Sequence, residues 1–215
     1  MKYQAVVFDL DGTLLNTLDD LADSVNFALQ EFGYPLRTVE EVRAFIGNGV
    51  ERLIARAVPA ETSQKQVLLC LAVFRNHYAE NMQNKTCPYD GIEAMLSQLK
   101  GAGVRMAIVS NKFDQAVKML KEEIFEDSID VAIGESSLVP KKPDPTGVLA
   151  ALAELGVSKE AAIYVGDSDV DIMTAKNAGI VSVGVTWGFR DRHVLENAGA
   201  DYMIDEPKRL LEIVL

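Results

Sequence analysis

Two aspartates stand at the end of the first apolar run of the chain, and a glycine follows them at once. The run Ala5–Phe8 is apolar and partly β-branched, and Asp9, Asp11 and Gly12 come directly after it. Such a run, ended by a turn signal, predicts a buried β-strand. Two carboxylates held close together raise each other's pKa unless a cation or a shared proton relieves the repulsion. The segment therefore predicts either a metal site or a pair of carboxyl groups that share a proton.

Polar side chains also follow later apolar stretches of the chain, where a strand or turn is expected to end. In an open α/β sheet, ligands bind outside the carboxyl ends of the strands. The polar groups are therefore expected to meet Asp9 and Asp11 at one edge of the sheet. They are Ser110, Asn111 and Lys112 after residues 104–109, Lys141 and Lys142 after Val139, and Asp167, Ser168, Asp169 and Asp171 after residues 162–165.

These residue types suit a divalent cation that is bound together with a phosphate. Mg²⁺ takes oxygen ligands and commonly binds one or two carboxylates plus a substrate phosphate. Lys142, Ser110 and Asn111 can bind the remaining phosphate oxygens, and the backbone amides of Asp11 and Gly12 add further donors. One carboxylate can attack phosphorus and form an aspartyl-phosphate, while another carboxyl group protonates the leaving oxygen and then activates water. The set therefore favours Mg²⁺-dependent phosphoryl chemistry.

The order of the predicted elements indicates an α/β fold with an inserted helical segment. From residue 88 onwards, apolar strand patterns alternate with helical ones, which is typical of a parallel sheet covered by helices on both faces. Residues 17–84 show helical spacing throughout, and capping-box patterns begin at Thr38 and Ser63. We therefore predict an α/β core domain of residues 1–15 and 86–215 and a small all-helical domain of residues 16–85.

Composition and charge narrow the class of partner. The chain has 215 residues and a net charge of −11, without a basic stripe, so a nucleic-acid partner is not expected. It has no apolar run long enough to span a membrane and no signal-peptide pattern, and its two cysteines are isolated. We expect a cytoplasmic monomer or homodimer that acts on a small molecule and does not bind a membrane.

Four segments of the sequence, in order, resemble the four motifs of the haloacid dehalogenase-like hydrolases. They are residues 9–13, 110–111, 142–143 and 166–171, and the resemblance covers essentially the whole chain. The resemblance implies a Rossmann-like core with an α-helical cap inserted after the first strand. It also implies that Asp9 is the nucleophile of an aspartyl-phosphate mechanism and that Asp11 is the general acid and base.

The same resemblance implies a metal site. Mg²⁺ would be held by the Asp9 side chain, the Asp11 carbonyl and Asp167. Asp171 would act around the metal through water or hydrogen bonds.

The resemblance further implies that Ser110, Asn111 and Lys142 bind the phosphate. Lys142 is preferred over Lys141 because the lysine of this family commonly stands just before a proline, as Lys142 does here. Lys141 remains the alternative.

Two segments resemble the phosphoglycolate phosphatase branch of the family, residues 45–50 and residues 183–188. Dehalogenases of the superfamily lack the second aspartate, whereas Asp11 is present, and the related sugar-phosphate mutases carry a histidine where this chain has Leu21. The expected function is hydrolysis of small phosphorylated metabolites, with 2-phosphoglycolate as a candidate substrate. The alternatives are a pyrophosphatase or sugar-phosphate mutase on the same scaffold, or a non-catalytic binding module.

Gly47, Asn48 and Gly49 precede a predicted helix in the inserted segment. The amides at a helix N-terminus bind anions, including carboxylates. Our hypothesis is that this loop recognises the non-phosphate end of the substrate. An Asn48 variant that changed phosphate release equally for every substrate would contradict it.

Overall fold

The computed structural model describes residues 1–47 and 49–215 of the chain. The described residues form two compact units. One unit consists of Met1–Leu15 and Pro88–Leu215, and the other is Asn16–Cys87. The units are described separately below.

The described residues contain eight strands, six of which form one parallel sheet. The order across this sheet is β5-β4-β1-β6-β7-β8, and a second sheet pairs β2 with β3. The strands are β1 (Ala5–Phe8), β2 (Leu15–Asn16), β3 (Cys87–Pro88), β4 (Arg105–Phe113), β5 (Val131–Glu135), β6 (Ala162–Gly166), β7 (Val181–Val185) and β8 (Tyr202–Ile204).

Helices make up most of the remaining ordered structure. None of those in the described part of the chain combines the length and apolar content that crossing a membrane requires. Those of the unit Asn16–Cys87 are α1 (Leu18–Glu31), α2 (Val39–Phe45), α3 (Val50–Ala57) and α4 (Gln64–Asn81). Those of the other unit are α5 (Ile92–Gly101), α6 (Asp114–Phe125), α7 (Thr146–Leu155), α8 (Asp169–Ala178), α9 (Arg192–Ala198) and α10 (Arg209–Val214).

The six-stranded sheet is buried on both faces. Successive side chains of a strand point to opposite faces, so β1 contributes Val6 and Phe8 to one apolar cluster and Ala5 and Val7 to the other. Residues of α5, α6 and α10 belong to the first cluster and residues of α7 and α8 to the second. The predicted α/β class, with a parallel sheet between two helical layers, is confirmed.

Strand β4 is longer than the sequence predicts. The predicted strand ends before Ser110, whereas β4 continues through Phe113. Its pairing with β5 shifts register between Val109 and Phe113. The polar residues at the end of the apolar run are thus held by the sheet.

The unit Asn16–Cys87 is helical and has its own core. Its buried side chains include Leu29, Val42, Ile54 and Phe74, one from each helix. The capping boxes predicted at Thr38 and Ser63 open α2 and α4 and are confirmed.

Asp20 ties the end of the helical unit to its first helix. Its buried carboxylate accepts the Lys85 amide at 3.0 Å, and the Thr86 amide and hydroxyl at 2.8 Å each. Lys85 and Thr86 are therefore held against α1. The unit ends at Cys87, and the predicted boundary is residue 85.

Replacing Asp20 by asparagine should destabilise the protein, because an amide nitrogen would then face backbone amide donors. We expect Asp20→Asn to lower the free energy of unfolding by about 2 kcal/mol. The matched control is Asp19→Asn, which removes the same charge from an exposed position in the same helical turn, and we expect a change below about 0.5 kcal/mol. Urea unfolding followed by circular dichroism measures both, and equal stabilities of the two variants would contradict the role given to Asp20.

Candidate active site

The carboxyl edge of the sheet carries a cluster of three buried carboxyl groups. Asp9 follows β1, Asp167 follows β6, and Asp171 lies in the first turn of α8. Because β1 and β6 are parallel, with Phe8 opposite Val165, Asp9 and Asp167 leave the sheet side by side. The three residues each place a carboxylate oxygen within 4.8 Å of the others.

Lys142 is buried among these carboxyl groups. Its Nζ lies 2.7 Å from Asp9 Oδ1 and 2.7 Å from Asp171 Oδ1. It also donates to the Tyr164 hydroxyl at 3.0 Å. Hydrogen bonds between ionised partners are stronger than neutral ones, especially when buried. Lys142 therefore joins two of the three carboxyl groups.

Burial and like charge raise the pKa of two of these carboxyl groups. Burial raises the pKa of Asp9 well above its usual range, the charge of Asp171 adds to the increase, and Lys142 opposes it. Burial and Asp171 also raise the pKa of Asp167 to about 7, against the hydrogen bond from the Phe189 amide. Burial lowers the pKa of Lys142, but Asp171 and Asp9 outweigh this effect and leave it well above the ordinary value. The site is thus short of positive charge.

The cluster fits a metal ion on chemical grounds. Its donors are carboxylate oxygens, the type that hard divalent cations prefer. A cation placed among them would offset the repulsion that raises the pKa of Asp9 and Asp167. The three residues that offer a ligand atom are Asp9, Asp167 and Asp171.

Asp11 has a different partner, which argues against one of the two alternatives for the first motif, the shared proton. Its Oδ1 accepts a hydrogen bond from Lys112 Nζ at 2.9 Å, and the Lys112 side chain is buried. Asp9 is paired with Lys142 instead. Asp9 and Asp11 therefore do not form a close carboxylate pair that shares one proton, because each has its own lysine.

Both oxygens of Asp171 have partners within the protein. Oδ1 accepts a hydrogen bond from Lys142 Nζ and lies 3.2 Å from the Tyr164 hydroxyl. Oδ2 accepts the Ser168 amide at 3.0 Å and the Ser168 hydroxyl at 2.6 Å, in the capping box that opens α8. These contacts fix Asp171 and, through it, the Lys142 ammonium.

Ser110 and Asn111 lie within β4, towards its carboxyl end, and their side chains differ in what they can do. The Ser110 hydroxyl oxygen accepts the Lys112 amide at 3.2 Å, and a hydroxyl in that position keeps its own proton to donate. The Asn111 side chain is bound to the Lys142 backbone, accepting its amide at 2.6 Å and donating to its carbonyl at 3.3 Å. The side chain of Asn111 therefore supports Lys142, and its predicted contact with phosphate stays a prediction.

The Gly12 amide is likewise used inside the protein. It donates to the Leu15 carbonyl at 2.8 Å, and its predicted contact with phosphate stays a prediction. Gly12 has a φ of 88°, and a Cβ there would collide with the Asp167 carboxylate. A glycine is therefore needed for the close approach of this turn to Asp167.

The loop after β7 supports the other side of Asp167. The Phe189 amide donates to Asp167 Oδ2 at 2.6 Å, and the Trp187 ring nitrogen donates to the Thr13 carbonyl at 3.0 Å. A Cβ on Gly188 would collide with Asp167 and with the Gly12 carbonyl. Residues 183–188, one of the two segments that resemble the phosphoglycolate phosphatase branch, thus lead into Phe189, which supports the carboxyl cluster.

Tyr164 was not among the predicted site residues, and Lys112 was placed at this edge of the sheet without a predicted partner. Tyr164 lies within an apolar strand, and the available signal was that a buried tyrosine hydroxyl needs a hydrogen-bond partner. Lys112 follows Ser110 and Asn111, and it lies buried beside Asp11 in the part of β4 where the pairing with β5 shifts register. Lys141, the alternative phosphate lysine, instead lies 3.4 Å from Glu135 Oε1.

The predicted substrate-recognition loop is described in part. Gly47 and Gly49 have φ values of 118° and 87°, a region that favours glycine, and Gly49 precedes α3. Asn48 lies outside the described residues. The role of these three residues in substrate selection stays a prediction.

Known proteins resemble the chain over nearly its whole length. Phosphoglycolate phosphatase from Mesorhizobium japonicum is 37% identical over 202 residues, which is 91% of this chain and 88% of that protein. Phosphoglycolate phosphatase from Pseudomonas putida is 34% identical over 212 residues, 96% of this chain and 78% of that protein.

Solved structures show the same fold. A provisionally named phosphoglycolate phosphatase from Lactobacillus delbrueckii subsp. bulgaricus superposes with a TM-score of 0.95 at 36% identity, covering 100% of this chain and 99% of that one. CbbY from Rhodobacter sphaeroides, solved in complex with phosphate, has a TM-score of 0.74 at 27% identity and covers 97% and 96%.

The sequence profile of one family matches most of the chain. The matching residues are 6–185, and the family is described as haloacid dehalogenase-like hydrolase. This match includes all four of the predicted motifs, whose side chains the fold brings to one edge of the sheet. The chain therefore belongs to the haloacid dehalogenase-like hydrolase family.

Proposed function

We propose that the protein is a Mg²⁺-dependent phosphatase that hydrolyses small phosphomonoesters through an aspartyl-phosphate intermediate. The observation that carries the proposal is the buried contact between Lys142 and Asp9, made beside two further carboxyl groups. It places a fixed positive charge next to a carboxylate nucleophile, as phosphoryl transfer requires. The phosphoglycolate phosphatases among the relatives support the choice of substrate class.

Asp9 and Asp167 would hold Mg²⁺, with the Asp11 carbonyl as a further ligand. The bound cation would neutralise charge on the phosphoryl oxygens as the reaction proceeds. Asp171 contributes through hydrogen bonds beside the metal, because its two oxygens already serve Lys142 and Ser168.

The chemistry of the two steps is assigned to Asp9 and Asp11. The substrate phosphate binds at Lys142 and the Ser110 hydroxyl. Asp9 attacks phosphorus in line, and the bond to the leaving oxygen breaks as Asp11 donates a proton to that oxygen. The Asp11 carboxylate then takes a proton from water, which attacks phosphorus and breaks the bond to Asp9. Free phosphate and the ionised Asp9 result.

Lys112 supports this role of Asp11 by holding one of its carboxylate oxygens. The contact of 2.9 Å is between a buried ammonium and a carboxylate that is one-fifth exposed. A carboxyl group in a fixed orientation can serve as acid and then as base without losing further conformational freedom in each step. We infer that Lys112 orients Asp11.

The helical unit is proposed to act as a cap that excludes bulk water during the reaction. Selection of the leaving group is assigned to the cap loop of Gly47, Asn48 and Gly49, with 2-phosphoglycolate as the candidate substrate. A cytoplasmic location and a monomeric or homodimeric state complete the proposal.

Three other functions would differ in their substrate or product. A sugar-phosphate mutase would yield an isomeric sugar phosphate instead of free phosphate, and a pyrophosphatase would act on pyrophosphate and not on esters. A non-catalytic binding module would bind phosphate with Mg²⁺ and release none. Asp9, Asp11, Lys142 and Asp167 are all present, which favours catalysis.

Replacing Asp9 by asparagine should remove turnover while the fold survives. A phosphate-release screen with Mg²⁺ should cover phosphorylated two-carbon and three-carbon acids, sugar phosphates, nucleotides and pyrophosphate. On the preferred ester we expect Asp9→Asn to lower kcat by at least about a thousand-fold, since the amide is a poor nucleophile. The control Asp169→Asn changes an exposed aspartate near the site and should keep wild-type turnover. Full activity of the Asp9 variant would refute the mechanism.

The adjacent lysines Lys141 and Lys142 should differ sharply in their effect on activity. Lys142→Met removes the buried ammonium and should lower kcat/KM by roughly a hundred-fold or more. Lys141→Met removes a partly exposed ammonium paired with Glu135 and should change kcat/KM by less than about two-fold. Steady-state phosphate release from the same ester measures both, and the reverse order would assign the phosphate contact to Lys141.

Mg²⁺ should stabilise the wild type because it relieves the repulsion among the carboxyl groups. At a concentration of about 100 times its Kd, the expected gain is about 2.7 kcal/mol in the free energy of unfolding. The Asp167→Asn variant should lose most of this gain, whereas Asp169→Asn should keep it. Thermal unfolding with and without Mg²⁺, at constant ionic strength, measures the effect. An equal gain in wild type and Asp167→Asn would place the metal elsewhere.

A further inference from the structure

Tyr164 places a hydroxyl group in the middle of the buried site. It lies in β6, the strand that pairs with β1, and is 1% exposed. Its hydroxyl oxygen is 3.0 Å from Lys142 Nζ, 3.1 Å from the Val109 carbonyl and 3.2 Å from Asp171 Oδ1. A side chain within the central strands cannot move far, so this oxygen is a fixed point of the site.

The donors of the Lys142 ammonium are all accounted for in this arrangement. An ammonium has three N–H donors and no acceptor, so it must donate to each of its partners. The partners are Asp9 at 2.7 Å, Asp171 at 2.7 Å and Tyr164 at 3.0 Å. A phosphate oxygen can accept a well-formed hydrogen bond from Lys142 if it replaces one of these three partners.

The three partners are not equally easy to replace. Tyr164 is fixed by the sheet, and its own proton goes to the Val109 carbonyl or to Asp171. Asp171 is fixed by the Ser168 capping box. Asp9 is the group that must change partner during the reaction, because its carboxylate attacks phosphorus in the proposed mechanism.

The phenol also has an electrostatic advantage over an acidic residue at this position. The site already contains three carboxyl groups that repel one another. An ordinary phenol is neutral near pH 7 and can accept a hydrogen bond without adding negative charge. Tyr164 can therefore accept one hydrogen bond from Lys142 and leave the positive charge of the ammonium available to a phosphate.

We propose that Tyr164 is a positioning residue for phosphate binding. Together with Asp171 it fixes two N–H donors of Lys142. The third N–H donor, which contacts Asp9 in this structure, is therefore the one that binds the substrate phosphate. This inference rests on the proposed phosphatase function and adds to it a residue outside the four motifs.

Removal of the Tyr164 hydroxyl should weaken phosphate binding more than it slows the chemical steps. With Tyr164→Phe we expect KM for the ester and the inhibition constant of inorganic phosphate, both measured with Mg²⁺, to rise roughly ten-fold. The value of kcat should fall by less than about three-fold, because a contact made equally in the ground and transition states changes KM and not kcat.

A buried hydroxyl on the neighbouring strand, bonded to Asp201 and not to Lys142, provides the matched control. Ser182 in β7 is fully buried and shares hydrogen bonds of 2.7 Å and 3.0 Å with Asp201. Ser182→Ala should lower stability as Tyr164→Phe does but leave KM and the phosphate inhibition constant unchanged. If folded Tyr164→Phe keeps the wild-type inhibition constant within two-fold, whatever its kcat, the inference is overturned.

A second substitution covers the case in which Tyr164→Phe fails to fold. Site-specific replacement of Tyr164 by 3-fluorotyrosine keeps the hydroxyl and the packing but makes the oxygen a poorer acceptor. A two- to three-fold rise in the phosphate inhibition constant is expected, and no change overturns the inference. A wild type that neither releases nor binds phosphate would instead refute the proposed function, and the inference with it.

Discussion

Three carboxyl groups, those of Asp9, Asp167 and Asp171, are buried within reach of one another at the end of a parallel sheet. Their desolvation and mutual repulsion raise the pKa of Asp9 and Asp167, which is unfavourable for an ionised nucleophile. The site meets this constraint with a buried lysine inside the cluster and with a set of oxygen donors suited to a divalent cation. The surrounding structure serves mainly to hold these charges at fixed distances.

That fixed geometry comes from several separate parts of the sheet edge. The Asn111 side chain binds the backbone of Lys142, the Ser168 capping box binds Asp171, and the loop that ends at Phe189 binds Asp167. Each support is a hydrogen bond made by a strand end, a helix start or a loop that follows a strand. Preorganised charges of this kind can stabilise a phosphoryl transition state without rearranging during the reaction.

The sequence predicted the elements and the main groups of the site, because apolar strands and the polar residues after them are local features. It did not predict partners that are distant along the chain. Asp9 and Asp11 were expected to repel each other, but each is paired with its own lysine, Lys142 for Asp9 and Lys112 for Asp11. The Gly12 amide, which was expected to bind phosphate, donates to the Leu15 carbonyl in this structure. The residue types alone do not reveal how that turn closes. Likewise, a buried tyrosine hydroxyl needs a hydrogen-bond partner, but the apolar strand did not show that the partner of Tyr164 would be Lys142.

The stereochemistry at phosphorus tests the central claim of covalent catalysis most directly. Two in-line displacements, first by Asp9 and then by water, should return the phosphorus to its starting configuration. The measurement uses a phosphomonoester whose phosphorus is made chiral with sulfur and oxygen isotopes, hydrolysed in isotopically labelled water. The account predicts overall retention of configuration in the product. Inversion would show a single direct attack by water and would contradict the role of Asp9 as the nucleophile.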